Sequence, residues 1–300
     1  MVYSDLKLEF CPFCGSKTTE PLYCNNCHRS FQILTEYGKI APDIIDMIKW
    51  SPDVTEFQKE IILELASEMV KIPGGSFTMG VKEFEGKTLK RAELYTPHRV
   101  ILSPFFISKF LVTQRQWFAF MPLHDCYNVG DELPVDSVSW MDITKFTKLL
   151  RELSNIPFSL PTEAQWLFVA KECDNYNNKV YSGSNNLDEV AWTKSNTDNS
   201  VRPGLKKPNS LGVYDMSGNL SEQCLDRWRT WPNNTIKNPY YALNGGGNMV
   251  RKGGSHAYDS YDEIEPAYNI NSRDCRSETA RMLDSGFRLA IFEEDILNEY

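Results

Sequence analysis

Residues 212–228 read GVYDMSGNLSEQCLDRW. Two acids, Asp215 and Glu222, stand seven positions apart, and the pair Gly218-Asn219 lies between them with apolar residues on the flanks. Gly and Asn tolerate positive φ, so the spacing predicts a tight polar turn. From the spacing alone, an ion held between the carboxylates and a metal-free Asx-type turn with Glu222 in solvent stand level.

Outward from that turn the texture is loop-rich. From about residue 70, short alternating runs such as VKIPGGSFTMG (70–80) and HRVILSPFFIS (98–108) are divided by Gly, Pro and Asn, as in short strands. Two helices are predicted. One covers roughly 140 to 153, with Ile143, Phe146, Leu149 and Leu150 on one face. The other starts in LPTEAQWLFVA (160–170), where Pro161 opens the first turn and Thr162 precedes Gln165 by a capping-box interval. After 175 the chain reads mostly as loop, and long loops in a compact domain need pinning. The glycine-rich GGSF and GGGN lack the strand-to-helix setting of a phosphate loop, and no nucleophile-elbow motif is present.

The other decisive stretch is CPFCGSKTTEPLYCNNCHRSF (11–31). Its two C-x-x-C pairs, Cys11/Cys14 and Cys24/Cys27, can each wrap one side of a tetrahedral zinc ion, and Gly15 permits the knuckle turn. Cys24-Asn-Asn-Cys27-His28 also spells a c-type haem attachment site, which would leave Cys11 and Cys14 unexplained. A metal-stapled module too small to fold on its own core is expected over residues 1–35. Its three cations, Lys7, Lys17 and Arg29, balance Asp5, Glu9 and Glu20, a poor surface for phosphates. A helical linker is expected over 36–70, with Ser51-Pro52 as its start and Val54, Phe57, Ile61, Leu65 and Met69 as one stripe packed on the neighbouring domain.

Composition bounds the function. The 300 residues are 41% hydrophobic and 24% charged, as in a soluble globular protein. The net charge of −8 argues against bulk attraction to nucleic acid or anionic membrane. No apolar run reaches the roughly 18 residues that span a bilayer, and the charged N-terminus lacks a signal peptide's apolar core. A cytoplasmic location is the expectation, with Cys126, Cys173, Cys224 and Cys275 reduced.

Eight segments then fall in one order: MVKIPGGSFTMG (69–80), TPHRVILSPFFISKFLVTQRQWFAF (96–120), LPVDSVSW (133–140), FSLPTEAQWLFVA (158–170), SGSNNLDEVAW (182–192), LGVYDMSGN (211–219), RKGGS (251–255) and SGFRLA (285–290). Together they resemble the formylglycine-generating enzyme, or sulfatase-modifying factor, superfamily over about residues 69–292. The resemblance implies an α+β, elaborated C-type-lectin-like domain with much irregular loop, spanning 71–293 and followed by a tail at 294–300. It also implies calcium at the opening turn, held by the Asp215 and Glu222 carboxylates and the Gly218 and Leu220 carbonyls, hard oxygen donors that suit this ion.

The family's oxidase chemistry is another matter. Its copper-holding cysteines follow the Gly-Gly-Ser motif, and here those places are Tyr258 and Glu263 in GGSHAYDSYDEIE (253–265). Cuprous copper wants thiolate, so no copper is expected. No iron is expected either, because His28, His98, His124 and His256 are dispersed and the histidine-rich domain of the family's iron enzymes is missing. Where the family usually writes tryptophan, this chain has Ser221, Gln223 and His256. Smaller polar groups there open volume and add hydrogen-bonding capacity. With Tyr258, Asp259, Tyr261 and Glu263 they compose a candidate ligand surface. Arg273 is counted with it as a candidate, although the resemblance implies that its position supports the loop core, the role preferred for it.

The function expected is therefore non-catalytic binding of a protein or small molecule at the C-terminal loops, including a variable protein of a diversity-generating retroelement as one form. The alternatives are an enzyme of altered mechanism that uses His256 with Asp259 or Glu263, and an inert domain on an assembly scaffold.

Overall fold

The computed structural model describes residues 40–84, 87–88, 95–122, 124–175, 178–241, 247–259 and 266–292. The four cysteines of the expected zinc module and the tail at 294–300 lie outside the described residues.

The first described elements are helices α1 (Pro42–Met47) and α2 (Glu56–Ser67). Helix α2 does not start at Ser51-Pro52. Its N-cap is Thr55, whose hydroxyl accepts from the Gln58 amide while Gln58 Oε1 accepts from the Thr55 amide. That reciprocal pair satisfies two otherwise orphaned donors; Ser51 instead accepts from the Asp53 amide. Of the predicted stripe, Val54, Ile61, Leu65 and Met69 are buried in the common core, whereas Phe57 is 50% exposed. The Lys49 and Ser51 amides donate to the Ser154 and Leu153 carbonyls, which seals this segment onto the larger body.

The sheets are small. One is ordered β1 (Met69–Ile72), β6 (Phe105–Ser108), β13 (Ala290–Ile291) and β7 (Phe158–Ser159), antiparallel throughout. A second runs β11 (Asp274–Ser277), β10 (Asn248–Lys252), β8 (Ser221–Arg227) and β12 (Ser285–Gly286), with β12 parallel to β8. A third joins β2 (Gly75–Met79), β5 (His98–Leu102) and β9 (Ile236–Lys237), and β3 (Glu83–Phe84) pairs with β4 (Lys87–Thr88). Helices α3 (Gln114–Phe118), α4 (Trp140–Ser154), α5 (Glu163–Ala170) and α6 (Leu187–Val190) complete the mixed α+β architecture.

Both predicted helices are present. Ser139 caps α4 with Asp142 in a capping box, and its face of Ile143, Phe146 and Leu150 is buried. Thr162 caps α5 and pairs reciprocally with Gln165, which leaves Pro161 outside the helix rather than in its first turn. Every residue of α5 is buried, so it runs through the core instead of along its surface.

Strand β8 departs from the pattern rules. SEQCLDR contains three ionisable acids or bases among seven residues, yet its first six positions are buried. A polar strand can sit inside only if each group finds a partner, and those partners build the candidate site.

Candidate functional site

The opening turn is held by left-handed backbone. Asp215, Gly218 and Asn219 have φ of 55°, 82° and 62°. At Gly218 a side chain has no room: a Cβ would lie 2.3 Å from the Trp192 carbonyl oxygen. Asn219 then ties down the loop that follows α6. Its amide donates to the Trp192 carbonyl (2.8 Å), its Nδ2 donates to the Val201 carbonyl (2.9 Å), and its Oδ1 accepts from the Val201 amide (3.0 Å). Asp215 Oδ2 accepts from the Gly204 amide at 2.8 Å. The turn therefore pins the irregular stretch 192–204, which supplies the anchor a long loop needs.

Glu222, expected either on an ion or in solvent, is fully buried against Arg288. Its two oxygens accept from Arg288 Nη2 and Nε at 2.7 and 2.6 Å. Arg288 also donates to the carbonyls of Ser108, Lys109 and Tyr214. Among the described residues, one carboxyl oxygen of Asp215, Oδ1, is buried without a partner. Burial pushes the Asp215 carboxyl up to about 6, against the lowering influence of the Gly204 N–H and Arg288. For calcium the donor set fits in part: Asp215 offers an open oxygen, while the charge of Glu222 is already neutralised by the guanidinium. Among the described residues, no group of three or more His, Cys, Asp or Glu is gathered as a metal cluster.

The predicted ligand residues divide into two places. Ser221 and Gln223 share one face of β8, and Gln223 Nε2 donates to the Val138 carbonyl at 2.8 Å. Ser221 Oγ is buried without a partner among the described residues, as is the Oγ of Ser285, its register neighbour on β12. His256 is tied to the opening turn. Its amide and its ring Nδ1 both contact the Asn219 carbonyl (2.9 and 3.0 Å), which assigns the ring proton to Nδ1 because a carbonyl only accepts. Tyr258, next along, is 49% exposed, and Asp259 accepts from the Tyr268 hydroxyl at 3.0 Å. Tyr261 and Glu263 lie outside the described residues.

Arg273 joins a different cluster. Its Nε and Nη2 donate to the two carboxylate oxygens of Glu163, both at 2.7 Å, and its guanidinium lies 4.3 Å from the rings of both Trp228 and Trp231. Sequence reasoning missed the acid that shares this cluster. Asp226 is fully buried and accepts from the Glu163 amide (2.6 Å) and the Tyr241 amide (3.1 Å). Burial first, and Glu163 nearby, push its carboxyl up to about 7. Residues 163, 226 and 273 are far apart in the chain, so no local motif announces them.

Two cysteines lie on strands of the second sheet. Cys224 is fully buried on β8, where burial raises its pKa well above the ordinary value. Cys275 sits on β11 and accepts from Asn248 Nδ2, with its pKa raised by the same cause. A phenol at position 258 does not suit cuprous copper.

Comparison with known proteins bears on the whole arrangement. The model of the sulfatase-modifying factor enzyme 1-like domain matches residues 56–292. A chaperone protein LppX of Paenibacillus barcinonensis is 31% identical over 235 aligned positions, covering 61% of this chain and 79% of that protein. The formylglycine-generating enzyme of Thermomonospora curvata is 24% identical over 301 positions, covering 76% and 94%. Among solved structures, Treponema denticola variable protein 1 superposes with a TM-score of 0.63 at 26% identity, covering 74% of this chain and 94% of that one.

Proposed function

The chain belongs to the sulfatase-modifying factor enzyme 1-like domain family, and we propose that within it this protein binds a ligand and does not oxidise one. The observation that carries the reading is the loop after Gly-Gly-Ser, where a half-exposed Tyr258 stands in place of a copper-binding cysteine. On the adjoining strands β8 and β12, Ser221 and Ser285 keep buried hydroxyls without partners among the described residues, hydrogen-bonding capacity left unused there. The proposed binding set is Tyr258 and Asp259, which are exposed, with the buried Ser221, Gln223 and His256, extended by Tyr261 and Glu263. Its ligand is a protein segment or small molecule with polar groups for the hydroxyls and an apolar face for the tyrosine. The likeness to a chaperone and to a variable protein supports a binding role over turnover.

Two metals belong to the same proposal. Zinc on Cys11, Cys14, Cys24 and Cys27 staples the N-terminal module. Calcium on Asp215, with the Gly218 and Leu220 carbonyls and a shared Glu222, stiffens the turn, a reading supported by the open Asp215 Oδ1. The site of action is the cytoplasm.

Elemental analysis of purified protein, paired with a cysteine-peptide oxidation assay in the presence of cuprous copper and oxygen, tests this. Zinc without stoichiometric copper, and no conversion of the peptide cysteine to an aldehyde, is the expected result. Bound copper with aldehyde formation overturns the proposal. If the rival enzyme reading holds, His256→Ala abolishes turnover while binding persists. If the protein is a retroelement-diversified form, a near-copy of the segment coding for 256–263 lies beside a reverse transcriptase gene.

A further inference from the structure

Helix α4 carries a second recess that the C-terminal loops do not use. It is a cleft of about 270 Å³ between α4, strand β7 and the middle of β8, lined by Trp140, Thr147, Ser159, Leu160 and Leu225 on its floor and by Thr144, Lys145, Lys148 and Arg151 on its wall. The floor residues are buried, and the Lys145 and Lys148 side chains are exposed at the rim. No carboxylate lines this cleft, although the chain as a whole carries a net charge of −8.

The cations follow one another at intervals of three along α4. Residues three apart on a helix are surface neighbours, and like charges at that interval repel. A structural explanation covers part of the set. Arg151 in the last turn complements the helix dipole and donates to the Phe158 carbonyl at 2.8 Å. Lys148 lies 3.7 Å from Glu152 in a solvent-exposed pair. Lys145 has no acid or hydrogen-bond acceptor among the described residues, and neither has the hydroxyl of Ser159, a residue only 2% exposed. A positive rim in which Lys145 is unpaired among the described residues, above the Ser159 hydroxyl and an indole-and-leucine floor, is polar and apolar in the arrangement that small-molecule pockets show.

We propose that this cleft binds a small amphipathic organic anion, with its phosphate or carboxylate at Lys145, Lys148 and Ser159 and its apolar body against Trp140, Leu160 and Leu225. The volume suits a single small molecule, and the charge comes from side chains placed to meet an anion at the mouth. The cleft shares no residue with the loop set around Tyr258, so this proposal does not rest on that one.

Calorimetric titration of the full chain with phenyl phosphate and with phenylacetate tests the assignment, with inorganic phosphate and benzyl alcohol as single-feature controls. At least one organic anion binds saturably, about tenfold or more tighter than either control, and the stronger of the two identifies the headgroup. The exposed double substitution Lys145→Glu with Lys148→Glu weakens that binding about tenfold or more at an unchanged melting temperature, and added salt weakens it for the unmodified protein. Should the double variant melt lower, Lys145→Gln alone serves as the readout. Absence of saturable binding by both anions overturns the proposal. So does binding that ignores the lysine substitutions, or inorganic phosphate binding as well as phenyl phosphate.

Discussion

Glu222 and Arg288 form a two-pronged ion pair in which neither side chain reaches solvent. The pair joins β8 to the segment between β12 and β13, and Arg288 then spends its remaining N–H groups on the carbonyls of Ser108, Lys109 and Tyr214. It replaces the solvent-facing glutamate that a simple turn would have. It also competes with any cation for the same carboxylate. Removing one member of a buried pair strands the other's charge, which costs about 3–5 kcal/mol. Arg288→Met is therefore expected to lower the unfolding free energy by that amount in urea titrations. Glu222→Gln is expected to cost less, because Arg288 keeps its carbonyl acceptors.

Gly218 is required by two independent features, its positive φ and the Trp192 carbonyl that leaves no space for a Cβ. Gly218→Ala is expected to destabilise by at least about 1–3 kcal/mol, the usual cost of a forced backbone conformation. Because the same turn holds Val201 and Gly204, amide exchange in residues 192–204 should quicken more than exchange in α4. Uniform quickening would mean that the turn does not anchor this loop.

Glu68 has the opposite character to a stabilising surface acid. Burial, followed by the neighbouring Glu64, raises its carboxyl to about 8 from an ordinary 4.5, against the lowering effects of the Gln116 hydrogen bond, Lys109 and Arg115. The folded protein holds a proton there that the unfolded chain releases, so stability falls as pH rises from about 4.5 through about 8. Asp215 and Asp226, raised to about 6 and about 7, act in the same direction. Thermal melts across this range should show the decline, and Glu68→Gln should flatten its alkaline half. An unchanged slope in the variant would remove Glu68 from the account.

Calcium offers a sharper test at Asp215. If the open Oδ1 takes the ion, added calcium raises the melting temperature, and Asp215→Asn removes that response. If instead Arg288 has made the turn self-sufficient, the melting temperature ignores calcium and Asp215→Asn stabilises the protein slightly at neutral pH by deleting a buried charge.

What the sequence disclosed, and what it hid, follows from how local each signal is. The capping interval from Thr162 to Gln165 predicted α5 because the bonds that start a helix are made within four residues. Ser51-Pro52 misled for the same reason. It carries a start signal, but Thr55 and Gln58 carry a reciprocal one, and burial of Ile61 and Leu65 follows from the latter frame. The motif order gave the α+β fold, which periodicity alone would not, since much of the chain is loop. Strand β8 stayed hidden because alternation fails in a strand buried on both faces and stocked with polar residues. Its partners Arg288, Val138 and the Glu163 amide are all distant in sequence. The candidate loop residues were legible only as departures from the family's tryptophans. Among them, Ser221 and Gln223 lie on β8, and His256 contacts the Asn219 carbonyl in the turn that precedes it.

Arg273 makes contacts that suit the loop-supporting role that the resemblance implies for its position. It bridges the first turn of α5 to the 228–231 loop through Glu163, the Arg229 carbonyl and two indole rings. A lysine keeps the charge but loses both the planar fork and the stacking. Arg273→Lys is therefore expected to cost about 1–3 kcal/mol and to change tryptophan fluorescence in the native state. The two roles separate cleanly in one measurement. A structural arginine lowers the melting temperature when replaced, whatever the ligand. A variant that melts as the parent does, yet no longer binds at the C-terminal loops, would return Arg273 to the binding surface.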